Sequence, residues 1–285
     1  MIDNTFRFGR FTSSQIHRLT TQSARPMTEH ELAAYKAENP KGRKTTIMDW
    51  PGVAASSYIE EKRFERKLKR ALNTAGSSRP TDWGTVCEGI AFELLGLDYQ
   101  IVSEKTLVHP IYDNWAGSPD LDKQSQKVIG DLKCPYTLKS FCQLVDYGIS
   151  GGITEIRERH DDGEKYYWQL VSNACIKGYT KAELIVFAPK EDSTIRYNNQ
   201  SMDVVTAIYD ESDSYGFNWI RFADRSSLPI LPPGSDYNMV NIIAFDVPQS
   251  DIDYLESCVK KGTALLDGTF RIHDQNITIY DTLPG

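Results

Sequence analysis

Two short acidic stretches carry residue types suited to phosphodiester chemistry: Gly117-Ser118-Pro119-Asp120 and Gly130-Asp131-Leu132-Lys133-Cys134-Pro135. The second reads as a strand, led in by Val128 and Ile129 and ended by Pro135, which cannot donate to a sheet ladder. Successive strand side chains point to opposite faces, so Asp131 and Lys133 share one face while Leu132 turns into the core. Asp120 arrives from the preceding turn or strand, with Lys123 to Lys127 as a polar connection. Two carboxylates and one ammonium then meet at one end of a sheet. Mg²⁺ is held by one or two carboxylates, with water and phosphate in its other positions. Such an ion stabilises charge on a phosphate and makes bound water more acidic. A neighbouring lysine orients or deprotonates that water. A turn proline and a solvated strand end would show the same letters, so the surrounding elements decide.

Ahead of these stretches, Thr12, Ser13 or Ser14 is placed to cap a helix through Leu19. An arginine stands just before it, an arrangement that suits an anion; an ordinary capped helix is the alternative. Residues 24–57 read as irregular, broken by Pro26, Pro40, Gly42, Pro51 and Gly52, with a short helix over Glu29 to Glu38 and a basic loop at Lys41, Arg43 and Lys44. Ser57 to Asn73 is a helix in which Phe64, Leu68 and Leu72 recur at four-residue spacing as the buried stripe. Lys62, Arg63, Arg66, Lys67, Lys69 and Arg70 cover the rest, as a solvated or DNA-facing surface. A second helix, residues 81–97, is capped by Thr81 or Asp82 and buries Trp83, Val86, Ile90 and Leu94; Glu88 falls off that stripe, with solvation as its default role.

Val102 to Pro110 reads as a strand carrying Glu104 and a structural His109. Beyond Pro135 comes a helix around Leu138–Tyr147, then a Gly-rich loop from Gly148 to Gly152, then a helix from Lys165 closed by Gly178. Gln169 and Asn173 lie one turn apart on it. A strand follows over Ala182 to Ala188. From Met202 the pattern reads as mostly β, at Val204–Tyr209, Phe217–Phe222 and Met239–Val247. Ser250 or Asp251 then caps a final helix to about Leu266, and Phe270 to Tyr280 reads as one more strand.

The 285 residues suffice for one large domain or two small ones, and a hydrophobic fraction of 40% provides for a real core. No apolar run approaches bilayer length and Met1 to Gly9 lacks a secretory core, so the expected location is the cytoplasm, with no membrane partner. Five scattered cysteines without a Cys-x-x-Cys pair argue against structural zinc, iron–sulfur clusters and a disulfide framework. A net charge of −7 argues mildly against nucleic acid, unless basic residues gather on one surface.

The ordered set is more informative than its parts. Helix with Glu, strand, Pro-Asp, strand with Asp-x-Lys, helix with Gln, strand resembles the PD-(D/E)xK nuclease fold. Within that superfamily it is most similar to the phage lambda exonuclease group, also called YqaJ-type viral recombinases. Arg7-Phe-Gly-Arg-Phe-Thr-Ser-Ser14 resembles the family's Arg-x-Gly-x-Ile-Thr-Ala-Ser, and Trp83-Gly-Thr-Val-Cys-Glu88 its Trp-Gly-x-x-x-Glu. Ser118-Pro-Asp120 and Asp131-Leu-Lys-Cys-Pro135 resemble its Ser-Pro-Asp and Glu-Leu-Lys-Cys-Pro, with Asp131 in place of Glu. Tyr166-Tyr-Trp-Gln169 resembles its Tyr-x-x-Gln.

The resemblance implies a single nuclease domain over residues 1–285, of mixed α/β class. Its core lies at about 5–190, with a central mixed sheet flanked by helices; residues 200–285 match no motif of the family and read from their own pattern as a β-rich extension and helix of no assigned role. It implies a metal-dependent exonuclease digesting double-stranded DNA 5′→3′ for phage-type recombination. Asp120, Asp131 and the Leu132 carbonyl would hold Mg²⁺ or Mn²⁺, with Glu88 binding a metal directly or through water. Lys133 would position the water, Arg7 and Ser14 would grip the 5′-phosphate, and Gln169 and Tyr166 would support the centre or the substrate. Expected partners are DNA ends and a single-strand annealing protein, with a trimeric ring as the assembly, in a bacterial host cytoplasm. A restriction-like or repair endonuclease and a catalytically silent end-binding module are the alternatives.

Overall fold

The structure is a computed structural model and describes residues 7–72, 76, 78–96, 98–102 and 106–267. The chain opens with β1 (Phe11–Thr12), a 3-10 turn over Ser13–Gln15 and the short α1 (Ile16–Leu19). Next come β2 (Ser23–Pro26), α2 (Glu29–Glu38) and β3 (Thr46–Asp49), then α3 (Val53–Leu68) and α4 (Arg79–Leu94). Five strands follow: β4 (Gln100–Ile101), β5 (Leu107–Val108), β6 (Trp115–Gly117), β7 (Leu121–Lys123) and β8 (Val128–Lys133). Helices α5 (Leu138–Arg159) and α6 (Gly163–Lys177) lead into β9 (Lys181–Phe187) and the hairpin of β10 (Thr194–Tyr197) and β11 (Gln200–Asp203). The last described elements are α7 (Val204–Ser214), α8 (Asn218–Phe222), β12 (Val240–Asp246) and α9 (Gln249–Leu266).

The central sheet runs β12–β9–β8–β7–β4, with β8 and β9 parallel and the other pairs antiparallel. β8 and β9 are buried along most of their length, which is why both read as near-continuous apolar runs. Ile129, Leu184 and Val186 face α5, α6 and α9, whereas Leu132, Ile185 and Phe187 face α4 and α7. Helix α6 is buried on all sides from Tyr167 to Ile176, so it shows no polar stripe. It ends at Gly178 in the left-handed conformation, φ 67°.

Several expectations are corrected. In α3 the predicted stripe faces outward, with Phe64 at 45% and Leu68 at 51% exposure, while Tyr58, Ile59, Lys62 and Glu65 are buried. The cause is a polar clamp: Glu65 Oε2 accepts from Gly9 N at 2.7 Å and from Lys62 Nζ at 2.9 Å, and Thr12 N donates to the Tyr58 hydroxyl. Helix α4 starts earlier than expected, capped by Ser78 with Pro80 in its first turn. The predicted break at Gly148 to Gly152 is present but shorter: two helical segments within α5 meet at a kink where Gly151 and Gly152 leave helical geometry, Gly152 at φ 64°, while Gly148 stays in the first segment. The predicted strands at Val204–Tyr209 and Phe217–Phe222 are helices. Asp203 caps the first by accepting from Val205 N and Thr206 N, and buried Val204, Val205, Ala207 and Ile208 follow helical spacing. The region at 24–57 holds an ordered β2–β3 pair around α2, whose start is a capping box of Thr28 and Glu31. Ser13 and Ser14 sit in the 3-10 turn, and α1 has no side-chain cap. Glu104 and the expected strand over Phe270 to Tyr280 lie outside the described residues.

Candidate active site

The sheet carries its most polar residues where β8 ends. Asp131 is fully buried there; its Oδ1 accepts from Gln169 Nε2 at 2.6 Å, and its Oδ2 lies 2.5 Å from Lys133 Nζ. Gln169 reaches it because α6 packs directly on β8 and β9. Asp120 follows β6 and its Oδ2 accepts from the Leu132 backbone N–H at 2.8 Å, which ties the Pro-Asp turn to the Asp-x-Lys strand. Gly117, at the end of β6, lets the Ser13 turn and α6 close on that strand, since a Cβ there would collide with Ser13 Oγ and Asn173 Oδ1.

The charges interact strongly. Burial raises the Asp120 carboxyl well above the ordinary range; Asp131 and Glu88 add to this, against Lys133 and the Leu132 N–H. Burial also pushes Glu88 up to about 7, with Asp131 adding and Lys133 opposing. Glu88 is thus within electrostatic reach of Asp131 and Lys133 and only partly exposed, unlike a freely solvated residue of α4. Burial is the largest influence on Lys133 and pulls it down, yet Asp131 and Asp120 together overcome it and raise its pKa. Lys133 is therefore an ammonium in this state: it can orient water and offset negative charge, but it holds no lone pair for a proton.

Tyr166 closes one side. The Lys133 ammonium lies 5.3 Å from its ring centroid and Lys165 5.8 Å, and His160 stacks on the ring at 5.8 Å. The Tyr166 hydroxyl donates to Asp162 Oδ2 at 3.4 Å. On the other side Arg7 Nη2 donates to Ser118 Oγ at 2.8 Å, and Ser118 Oγ lies 3.1 Å from Thr106 Oγ1. Arg7 thus stands beside Asp120, whose charge opposes the lowering of the Arg7 pKa by burial. Ser14 lies on the turn after Thr12, partly exposed, and no hydrogen bond joins it to Arg7 among the described residues. Its neighbour Ser13 points inward to Ser172 Oγ at 2.7 Å.

Ser118 as the partner of Arg7, Thr106 as the partner of Ser118, and Lys62 and Glu65 as the clamp behind Gly9, were not singled out from the sequence. Ser118 had a signal, standing within the Ser-Pro-Asp stretch. Lys62 and Glu65 had none, because a buried ion pair on a charged helix looks like surface.

Among the described residues no three His, Cys, Asp or Glu side chains converge into a ready-made metal cage. Glu88 therefore joins the two aspartates through charge rather than contact. A hard cation still suits the donors at the strand end. Asp131 Oδ2 is buried without an aligned hydrogen bond, the Asp120 carboxyl adjoins it, and Mg²⁺ needs only one or two carboxylates. The Leu132 carbonyl is the third oxygen available on the same segment.

No protein-family model matches the chain, and no curated protein matches it. Solved structures do. An alkaline exonuclease (LHK-Exo) from Laribacter hongkongensis is 12% identical, covers 92% of this chain and 90% of its own, and superposes with a TM-score of 0.51. The same enzyme in complex with dAMP gives 11% identity, 93% and 91% coverage, and 0.53. A phage-related exonuclease from Haemophilus somnus 129PT gives 13% identity, 91% and 94% coverage, and 0.52. The chain shares the fold of these exonuclease structures. At these identities the likeness establishes architecture, including the central mixed sheet flanked by helices. No helix among the described residues is long and apolar enough to cross a membrane.

Proposed function

We propose that this chain is a metal-dependent DNA exonuclease of the phage lambda exonuclease type, degrading one strand of duplex DNA from its 5′ end. The carrying observation is the adjacency of two groups. The Asp120–Asp131–Lys133 cluster is one, and the Arg7–Ser118 pair, which meets it through the single Pro119 link, is the other. The superposing structures are those of exonucleases, which supports this reading.

Asp120, Asp131 and the Leu132 carbonyl would hold Mg²⁺ or Mn²⁺, which supplies charge neutralisation at the phosphate and an acidified water. Lys133 orients the attacking water and offsets charge as the phosphate becomes more negative. Gln169 holds the Asp131 carboxylate in one orientation, and the Tyr166 ring does the same for the Lys133 ammonium. Glu88, neutral below about pH 7 without an ion, becomes a further negative charge for a cation once ionised. Arg7 and Ser118 offer a fork and a hydroxyl to a terminal phosphate one residue from Asp120, with Ser14 on the adjoining turn. A grip on a strand end favours cutting from ends over cutting within the duplex. The YqaJ-type assignment, work beside a single-strand annealing protein and a ring-shaped homotrimer complete the reading, supported by the sequence resemblance.

The test offers linear duplex, with and without 5′-phosphate, and closed circular duplex, each with Mg²⁺ or EDTA. Mg²⁺-dependent loss of the phosphorylated linear DNA with the circle intact is expected, and Arg7→Ala should erase the phosphate preference. Cutting of the closed circle would replace the exonuclease by an endonuclease of the same fold.

A further inference from the structure

The segment after β11 packs against α4, the helix that carries Glu88, and brings aromatic rings to that helix. Helix α7 packs on α4, and its Glu211 comes so near Gly89, next to Glu88, that a Cβ there would lie 3.1 Å from Glu211 Oε1. Glu211 is itself tied to the Tyr197 hydroxyl. Just beyond, Gly216 (φ 73°) turns the chain so that Tyr215 and Phe217 stack, centroids 5.6 Å apart and 15° between planes. Tyr215 is 51% exposed, and partial burial, then the charges of Glu211 and Glu88, raise its hydroxyl pKa.

A second set of rings adjoins on α8. Trp219 Nε1 donates to Asp82 Oδ2 on α4 at 2.9 Å, and its ring meets Tyr136 edge-on at 6.1 Å. Tyr136 lies three residues beyond Lys133. The Arg79 guanidinium stands 5.3 Å from the Trp219 ring centroid. Phe222, one turn along α8 from Trp219, is 80% exposed. Core packing asks for none of this exposure. The nearby Asp213 carboxylate is paired with Arg221 at 2.5 Å.

We propose that the α7–α8 corner, centred on Tyr215 with Trp219 and Phe222, is a stacking platform for unpaired nucleobases of the DNA strand at the cleavage site. This rests on the nuclease reading above. The support is the contact of α7 and α8 with α4, the helix of Glu88, the exposure of the Tyr215 and Phe222 rings, and the Arg79 guanidinium over Trp219. Every base has a π-face, so such a platform holds strand ends without reading sequence, which suits an enzyme that acts on ends of any sequence. A cleft that grips phosphates on its Arg7 side and bases on its Glu88 side fixes a nucleotide at both ends.

The experiment measures anisotropy of labelled 5′-phosphorylated oligothymidylate against an abasic strand of equal length, on the full chain in EDTA. Wild type should prefer the strand with bases. Tyr215→Ala should weaken oligothymidylate binding by roughly tenfold, leave abasic binding unchanged, and be rescued by Tyr215→Trp. Equal weakening for both strands, an unchanged Tyr215→Ala, or no preference in the wild type would overturn the platform. Because no metal is present, base-dependent binding without cleavage on later Mg²⁺ addition would support the platform while counting against the exonuclease reading.

Discussion

Glu65→Ala on α3 should destabilise the protein far more than Phe64→Ala one position earlier, the reverse of what the sequence pattern implies. The Glu65 side chain is only 3% exposed, and one oxygen accepts from both Gly9 N at 2.7 Å and Lys62 Nζ at 2.9 Å. Its removal leaves an ammonium 8% exposed without its partner, and a buried backbone N–H without an acceptor. Breaking a buried pair by deleting one member costs about 3–5 kcal/mol. An orphaned N–H costs about 1–3 kcal/mol, and the two do not add fully. We therefore expect a loss of about 3–5 kcal/mol for Glu65→Ala. The double variant Lys62→Met/Glu65→Leu removes both charges and should recover part of this, leaving about 1–3 kcal/mol from the Gly9 N–H. Phe64, at 45% exposure, should lose less than about 1 kcal/mol. Urea denaturation in EDTA at pH 7 measures all three, with unchanged m-values marking a change in stability alone. A larger loss in Phe64→Ala than in Glu65→Ala would refute the burial of the charged face. The clamp also fixes Gly9 two residues from Arg7, so Glu65→Ala should blunt the preference for 5′-phosphorylated ends.

Without divalent ions, stability should fall as pH rises. The Glu88 pKa of about 7 exceeds its ordinary 4.5, so its contribution is complete below about 4.5 and lost by pH 7 and above, about 3 kcal/mol in all. Asp120 acts in the same direction. Glu88→Gln should flatten this profile in urea melts at pH 5 to 8, and an unaltered slope would remove Glu88 from the cluster. Gln169→Leu deprives the buried Asp131 Oδ1 of its donor; cleavage should drop roughly 10–100-fold, and urea melts should show a loss of about 1–3 kcal/mol. Gly117→Ala forces a methyl against Ser13 and Asn173 and should cost about 1–3 kcal/mol in denaturant, and an unshifted midpoint would contradict the close approach.

The site was legible where chemistry and periodicity coincide. Asp131 and Lys133 alternate with Leu132 on a strand whose apolar lead-in admits one register, and Gly178 marks the end of α6. Legibility failed where tertiary contacts override local pattern. Gly148 looked like a loop, yet its missing side chain lets α5 approach Ile243, to which a Cβ would lie 2.6 Å away. Val204-Val205-Thr206 has β-prone side chains, but the Asp203 cap and packing on α4 make it helical. Phe64, Leu68 and Leu72 obeyed helical spacing and still faced out, because the Glu65 clamp selected the opposite face. Arg7 and Ser118 stand 111 residues apart, and no local signal pairs them.

The most direct measurement is anomalous diffraction from a crystal soaked in Mn²⁺. A single strong peak between the carboxylates of Asp120 and Asp131, within reach of the Leu132 carbonyl and absent in Asp131→Ala, is the expected result. A peak elsewhere, or none while the ion still supports cleavage, would contradict the proposed centre.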